Sequence, residues 1–191
     1  VKKITLYTSH HTHNVIGSGA NDPQKMDPKA SRETLDHSIT YILAVALQDG
    51  EWHHIRSYTP TRAARSDTVR LWKKISTVED PEWTKRYHDP DPNERAFGGR
   101  LELELSSGEI IQDELAVANA HPAGEKPFER GDYIRKFKIL TEDLITNSES
   151  ERFLDLVQNL PELSSKDVNE INVQLSADKL ISDIRGNKGI F

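Results

Sequence analysis

Cysteine is absent from the 191-residue chain. Disulfides are therefore excluded, as is any thiolate-held zinc or iron–sulfur centre built from these residues alone, and the absence suits a reducing compartment. Apolar runs are short. The longest, Ile39 to Leu47, is interrupted by Thr40 and falls well below the ~20 residues that cross a bilayer. Positive charge never gathers into a stripe, which argues against nucleic-acid binding. The chain opens VKKITLYTSH, without Met or an apolar signal segment, and reads as a piece of a longer protein.

What is present is a polar globular composition, 35% hydrophobic and 29% charged, with a net charge of −6. Residues 141–191 hold 10 acidic and 5 basic groups, so five of the six net negative charges fall in the last quarter, on what reads as solvated helical surface. Histidine concentrates at the other end. Six of the eight lie between residues 9 and 54, interleaved with core-forming residues. Titratable groups among apolar ones are costly unless paired or used, so function is sought in this segment.

Alternation at Lys3–Thr8 predicts a strand running into the histidines, and Gly17-Ser18-Gly19 and Asn21-Asp22-Pro23 mark a loop. A buried helix is expected over 31–49, with Leu35, Ile39, Ile42, Leu43, Ala46 and Leu47 spread around it and Gly50 just past its end. Glu51–Tyr58 reads as a strand packing through Trp52, Ile55 and Tyr58. A helix capped by Ser66 or Asp67 follows, carrying Val69, Leu71, Trp72 and Ile75, and Asp80–Tyr87 reads as a short helix. Arg100–Leu105 and Ile110–Val117 alternate across a Ser-Ser-Gly-Glu turn and predict a hairpin. Asp132–Ile145 is amphipathic, and Phe153–Leu160 forms a helix stopped by Pro161. The expected fold class is α+β: a small, mostly antiparallel sheet with helices packed on it over residues 1–147, then a helical C-terminal extension over 148–191.

Several residues can carry chemistry. On a helix His37 and Tyr41 are four apart and Ser38 and Tyr41 three apart, so they share a face, with Arg32 and Asp36 flanking the turn; a polar stripe on a buried helix suggests the wall of a site. The bland alternative is a satisfied core histidine and a tyrosine with its hydroxyl at the surface. If the first strand continues, His11 and His13 point to one side and His10 to the other. Such a pair binds a metal if His37, His53, His54 or a carboxylate supplies a third ligand, but no metal-family spacing is present; otherwise these histidines bind or protonate an anionic substrate. Gly17-Ser18-Gly19 lacks the spacing of a dinucleotide or phosphate loop and reads as a turn. Lys25 sits between two Asp-Pro stops, as a fixed cation or an exposed loop lysine. His53, His54 and His121 read as structural.

The stretches SHHTHNVIGSGANDPQKMDPKASRETLDHSITYILAVALQDG, STVEDPEWTKRYHDPDP, AFGGRLELEL, DELAVANAHPAGEKPF and the terminal KGIF resemble the MmgE/PrpD family, in its methylcitrate branch. The His37-Ser38-x-x-Tyr41 pattern recurs in the wider family, which includes cis-aconitate decarboxylases, whereas the Asp22-Pro-Gln-Lys25 loop resembles the methylcitrate branch alone. The resemblance implies a lid domain followed by helices that return to a helical domain, here absent, with the active site between the two domains and the protein a homodimer. It implies dehydration of 2-methylcitrate to 2-methyl-cis-aconitate in propionate breakdown, with no iron–sulfur cluster or other cofactor; the sister activities on citrate or cis-aconitate are the alternative, as is an inactive isolated fragment. The implied compartment is the cytoplasm, or the mitochondrial matrix in fungi. A tricarboxylate needs cations and donors, which Lys25, Arg32, Ser38, His11 and His13 supply, and elimination needs a base and an acid, roles for which Tyr41 and His37 are the candidates.

Overall fold

The computed structural model describes residues 1–179; the KGIF stretch lies outside the described residues. The chain forms two compact units, Val1–Pro127 and Phe128–Phe191.

The first unit is built on a four-stranded sheet in the order β2-β1-β3-β4, comprising β1 (Lys3–Thr8), β2 (Ile75–Glu79), β3 (Gly99–Glu104) and β4 (Ile110–Leu115). β1 runs parallel to β2 and antiparallel to β3, and β3 pairs antiparallel with β4, so the mixed sheet is mostly antiparallel and the class is α+β, as expected. The β3–β4 hairpin turns through Gly108 at φ 90°, a conformation that favours glycine. Alternation sends Ile4, Leu101, Leu103 and Ile75 to one face, where they join Leu35, Tyr41, Ala44, Val45, Tyr58, Ala63 and Trp72 in a single core. β4 forms an edge, and all of its residues are exposed.

Helices fill the long connection between β1 and β2: α1 (His10–Val15), α2 (Arg32–Asp36), α3 (Ile39–Asp49), α4 (Pro60–Ala63) and α5 (Ser66–Trp72). Four sequence expectations are corrected here. The first strand stops at Thr8 because Ser9 caps a helix, its side chain accepting from Thr12 N, so His10–His13 are helical. The helix expected over 31–49 is two. Ser38 adopts extended backbone and caps α3 by accepting from Tyr41 N, which ends α2 at Asp36. Residues 51–58 form no strand but a loop ending in a short 3-10 turn, held by the His53 ring, whose Nδ1 accepts from the backbone N–H of Ile55 and Arg56. Ile75 belongs to β2 rather than to the preceding helix; the β-branched run Ile75–Val78 gains a ladder against β1 that local periodicity does not reveal. On α3, Thr40, Tyr41, Ala44 and Val45 are buried while Leu47 is exposed, and Gly50 closes the helix at φ 69° as expected. A further short helix, α6 (Pro81–Tyr87), starts with Asp80 as its cap.

The second unit contains α7 (Arg130–Thr141), α8 (Asn147–Gln158) and α9 (Ser165–Val168). Its packing is sparse: Phe137 stacks on Phe153 at 5.0 Å, and no residue of α7 is buried. Among the described residues no helix is long and apolar enough to cross a membrane.

Two glycines give opposite predictions. Gly50→Ala forces a Cβ into the left-handed region and should cost about 1 kcal/mol, whereas Gly131→Ala in α7, where an added Cβ meets nothing within 4 Å, should stabilise by about 0.5–1 kcal/mol. Denaturant midpoints of the two variants check both signs.

Candidate functional site

The parallel pair β1 and β2 ends on one side of the sheet, where open α/β sheets gather their ligands. Here β1 runs directly into α1, and the turns Ser18–Ala20 and Pro23–Met26 follow. Asp22 caps the second turn by accepting from Gln24 N at 3.0 Å, and Asp27 accepts from Lys29 N at 2.8 Å, so both Asp-Pro stops shape the backbone around Lys25. Lys25 Nζ donates to the Val15 carbonyl at 2.7 Å and lies 3.7 Å from Asp22 Oδ2. The lysine side chain is only 18% exposed, and its charge is offset by one long ion pair.

Ser38 is fully buried beneath this turn. Its Oγ donates to the Lys25 carbonyl at 2.8 Å, accepts from Tyr41 N, and lies 3.2 Å from Thr40 Oγ1. A depression of about 490 Å³ opens beside them, lined by Gly17, Ser18, Asp22, Lys25, Met26 and Thr40 among others. Larger depressions of about 600 and 650 Å³ exist, between residues 92–98 and 115–123 and along α7 and α8, but neither is lined by a residue singled out from sequence as a catalytic or binding candidate. Chemistry rather than size selects the Lys25 depression.

The predicted residues fall into three groups. Lys25, Ser38 and His13 belong together: Ser18, on the wall of the depression, bonds Thr77, and Thr77 Oγ1 lies 2.7 Å from His13 Nδ1. Arg32 and His37 flank α2. The Arg32 guanidinium lies 5.1 Å over the Tyr58 ring while Nε donates to the His54 carbonyl, and His37 Nδ1 donates to the Glu33 carbonyl at 2.8 Å. His11 stacks on Tyr87 at 5.3 Å. His11 and His13 therefore do not share a strand face, and among the described residues no three His, Asp or Glu side chains gather as a metal site.

Tyr41 is a core residue in this structure. It is fully buried, packs 5.0 Å from Trp72, and donates its hydroxyl to the Ser57 carbonyl at 2.6 Å. Burial pushes its phenol above the ordinary tyrosine value. Because α2 ends before Ser38, His37 and Tyr41 are not successive turns of one helix, and the stripe expected from their spacing does not form. Tyr58 is raised further by burial and by its short bond to Asp36. Sequence reasoning missed Thr77, whose signal was the β-branched run of a strand read as a helix end, and Thr40, which accepts from Trp72 Nε1 at 2.8 Å.

The mixed sheet places a histidine-rich helix and the Lys25 turn beside its parallel strand ends, and comparison of the sequence assigns this unit to the MmgE/PrpD C-terminal domain. Residues 1–162 match that domain family, and the chain belongs to it. It is 28% identical over 174 residues to a 2-methylcitrate dehydratase of Salmonella typhimurium and 25% identical over 170 residues to one of Escherichia coli, in each case 89% of this chain and 33% of the relative. A 2-methylcitrate dehydratase of Cupriavidus necator is 33% identical over 102 residues, 53% of this chain and 20% of its own length. The chain thus spans about a third of the length of the first two relatives.

Tyr41→Phe tests the core assignment. It leaves the Ser57 carbonyl without its donor inside the core and should cost about 1–3 kcal/mol of stability, read by thermal or urea unfolding. A variant as stable as wild type but impaired in turnover would return Tyr41 to a catalytic role.

Proposed function

We propose that this chain is the lid part of a hydro-lyase that converts 2-methylcitrate to 2-methyl-cis-aconitate in propionate catabolism, without an iron–sulfur cluster. Family membership and the names of the relatives support a dehydratase. Within the chain, one observation carries the substrate class: Lys25 is a half-buried cation, fixed by the Val15 carbonyl beside an open depression and only distantly offset by Asp22. A polycarboxylate supplies the anion such a group lacks. In this reading Lys25 binds a substrate carboxylate, Ser38 holds the Lys25 turn in place, His13 acts from the Thr77 side of α1 and His11 from the Tyr87 side. Arg32 and His37 act from the α2 edge, and Tyr41 reaches substrate only if its bond to Ser57 opens.

The remaining catalytic groups come from a helical domain of the same protein, on which residues 148–191 pack, and the complete enzyme works as a homodimer in the cytoplasm, or in the mitochondrial matrix of a fungal host. The isolated chain is inactive.

Ultraviolet detection of the unsaturated product tests this, using the chain alone and joined to a helical domain, on 2-methylcitrate, citrate and cis-aconitate. In the active form Lys25→Met should raise KM for 2-methylcitrate ~10–100-fold, the loss of one charged hydrogen bond. An unchanged KM would remove Lys25 from the binding site, and turnover of citrate or cis-aconitate alone would reassign the substrate.

A further inference from the structure

Gly17-Ser18-Gly19 reads as a plain turn, yet it is the most closely built part of this face. Thr77 N donates to Ser18 Oγ at 2.9 Å, Ser18 N donates to Thr77 Oγ1 at 2.9 Å, and Ser18 Oγ donates to the Thr77 carbonyl at 3.2 Å. Neither glycine admits a side chain. A Cβ at residue 17 would run into Thr77 Oγ1 and the His13 carbonyl, and one at residue 19 into the His13 ring itself. The imidazole is thus held through Nδ1 by Thr77, and Gly19 lies against it closest to Nε2, for which no hydrogen-bond partner is found among the described residues; a side chain at residue 19 would cover that nitrogen.

This network accepts either protonation state. With a neutral ring, the Thr77 hydroxyl donates to Nδ1 and the hydrogen sits on Nε2. With a charged ring, Nδ1–H donates to Thr77 Oγ1, which still accepts from Ser18 N and turns its own hydrogen toward Ser18 Oγ, 3.1 Å away. Rotating one hydroxyl leaves no buried group unpaired in either state. Two other histidines lack this freedom: His53 and His121 accept backbone N–H at Nδ1 and cannot carry a hydrogen there without losing those bonds.

We propose that His13 exchanges a proton with bound substrate through Nε2, and that Thr77, locked by the Gly17–Gly19 turn, is its positioning residue. The proposal rests on the dehydratase reading. As the C–O bond breaks, the imidazolium gives its Nε2 proton to the departing hydroxyl, which leaves as water. The C–H electron pair becomes the double bond, and the carbon-bound proton passes to a carboxylate or amine base of the completing domain and returns to His13 through solvent.

In the active protein, His13→Gln should lower kcat ~10²–10⁴-fold. Thr77→Val should lower kcat ~10–100-fold with KM within about threefold, and Thr77→Ser should restore it to within about threefold of wild type, the span expected when a proton-transferring group is misplaced. Independently of activity, ¹⁵N-edited spectra of the 191-residue chain should show the His13 ring nitrogens shifted by Thr77→Val and unchanged by Thr77→Ser. If Thr77→Val does not fold, Gly19→Ala crowds the same ring with Thr77 intact and should shift the same signals. Unmoved His13 signals overturn the positioning role, and a normal kcat in His13→Gln overturns the proton exchange. A wild-type protein inert toward all three acids, with the ring signals responding as expected, defeats the dehydratase reading and leaves the positioned histidine supported.

Discussion

A buried pair of hydroxyls, Ser38 and Thr40, holds the first unit together. Ser38 Oγ caps α3 and donates to the Lys25 carbonyl, while Thr40 Oγ1 accepts from the Trp72 indole and touches Ser38. Both side chains are shielded from water. Polar atoms in such a place are tolerated only when each finds a partner, and here each partner belongs to a different piece of the chain: the loop before α2, the start of α3 and the end of α5. The bonds therefore fix relative positions that apolar packing of Leu35, Val45 and Trp72 leaves less defined.

That constraint reaches the surface. The Pro23–Met26 turn cannot drift without exposing the Ser38 hydroxyl, so Lys25 is presented from a rigid base despite its flexible side chain. The same logic holds one strand over, where β2 delivers Thr77 to Ser18 and so ties the sheet to the histidine-bearing helix. Two hydroxyl-centred joints thus hold the cation and the imidazole, an arrangement in which exposed groups are steadied by others buried behind them.

Elements governed by local rules were legible in the sequence. The β3–β4 hairpin, the Gly50 helix end and the short helix after Asp80 all follow from side chains within a few residues of the feature. What failed depended on distant partners. β2 exists because β1 offers a parallel ladder, and its run of Ile, Ser, Thr and Val gives no alternation strong enough to show it. The break before Ser38 was written as Asp-His-Ser, a cap sequence, but the apolar spacing of Leu35, Ile39, Ile42 and Leu43 carried the helix across it. At the candidate site, Lys25 and His13 stood out by residue type. The buried hydroxyls that hold them did not, because Ser and Thr look alike in sequence whether they are solvated or carry a network. The surroundings of Tyr41 were hidden for the same reason: a hydroxyl four residues from a histidine suggests a site, and its bond to the Ser57 carbonyl inside the core is visible only in the structure.

The uncovered edge of the sheet has its own consequence. β4 is an edge strand on which Ile110, Ile111 and Leu115 are each about half exposed, with Asp113 and Glu114 between the last two. Those two carboxylates are what stands between this strand and addition of a foreign strand, since apolar open edges template aggregation and charged ones resist it. Colloidal behaviour is thus written into two residues remote from the chemistry.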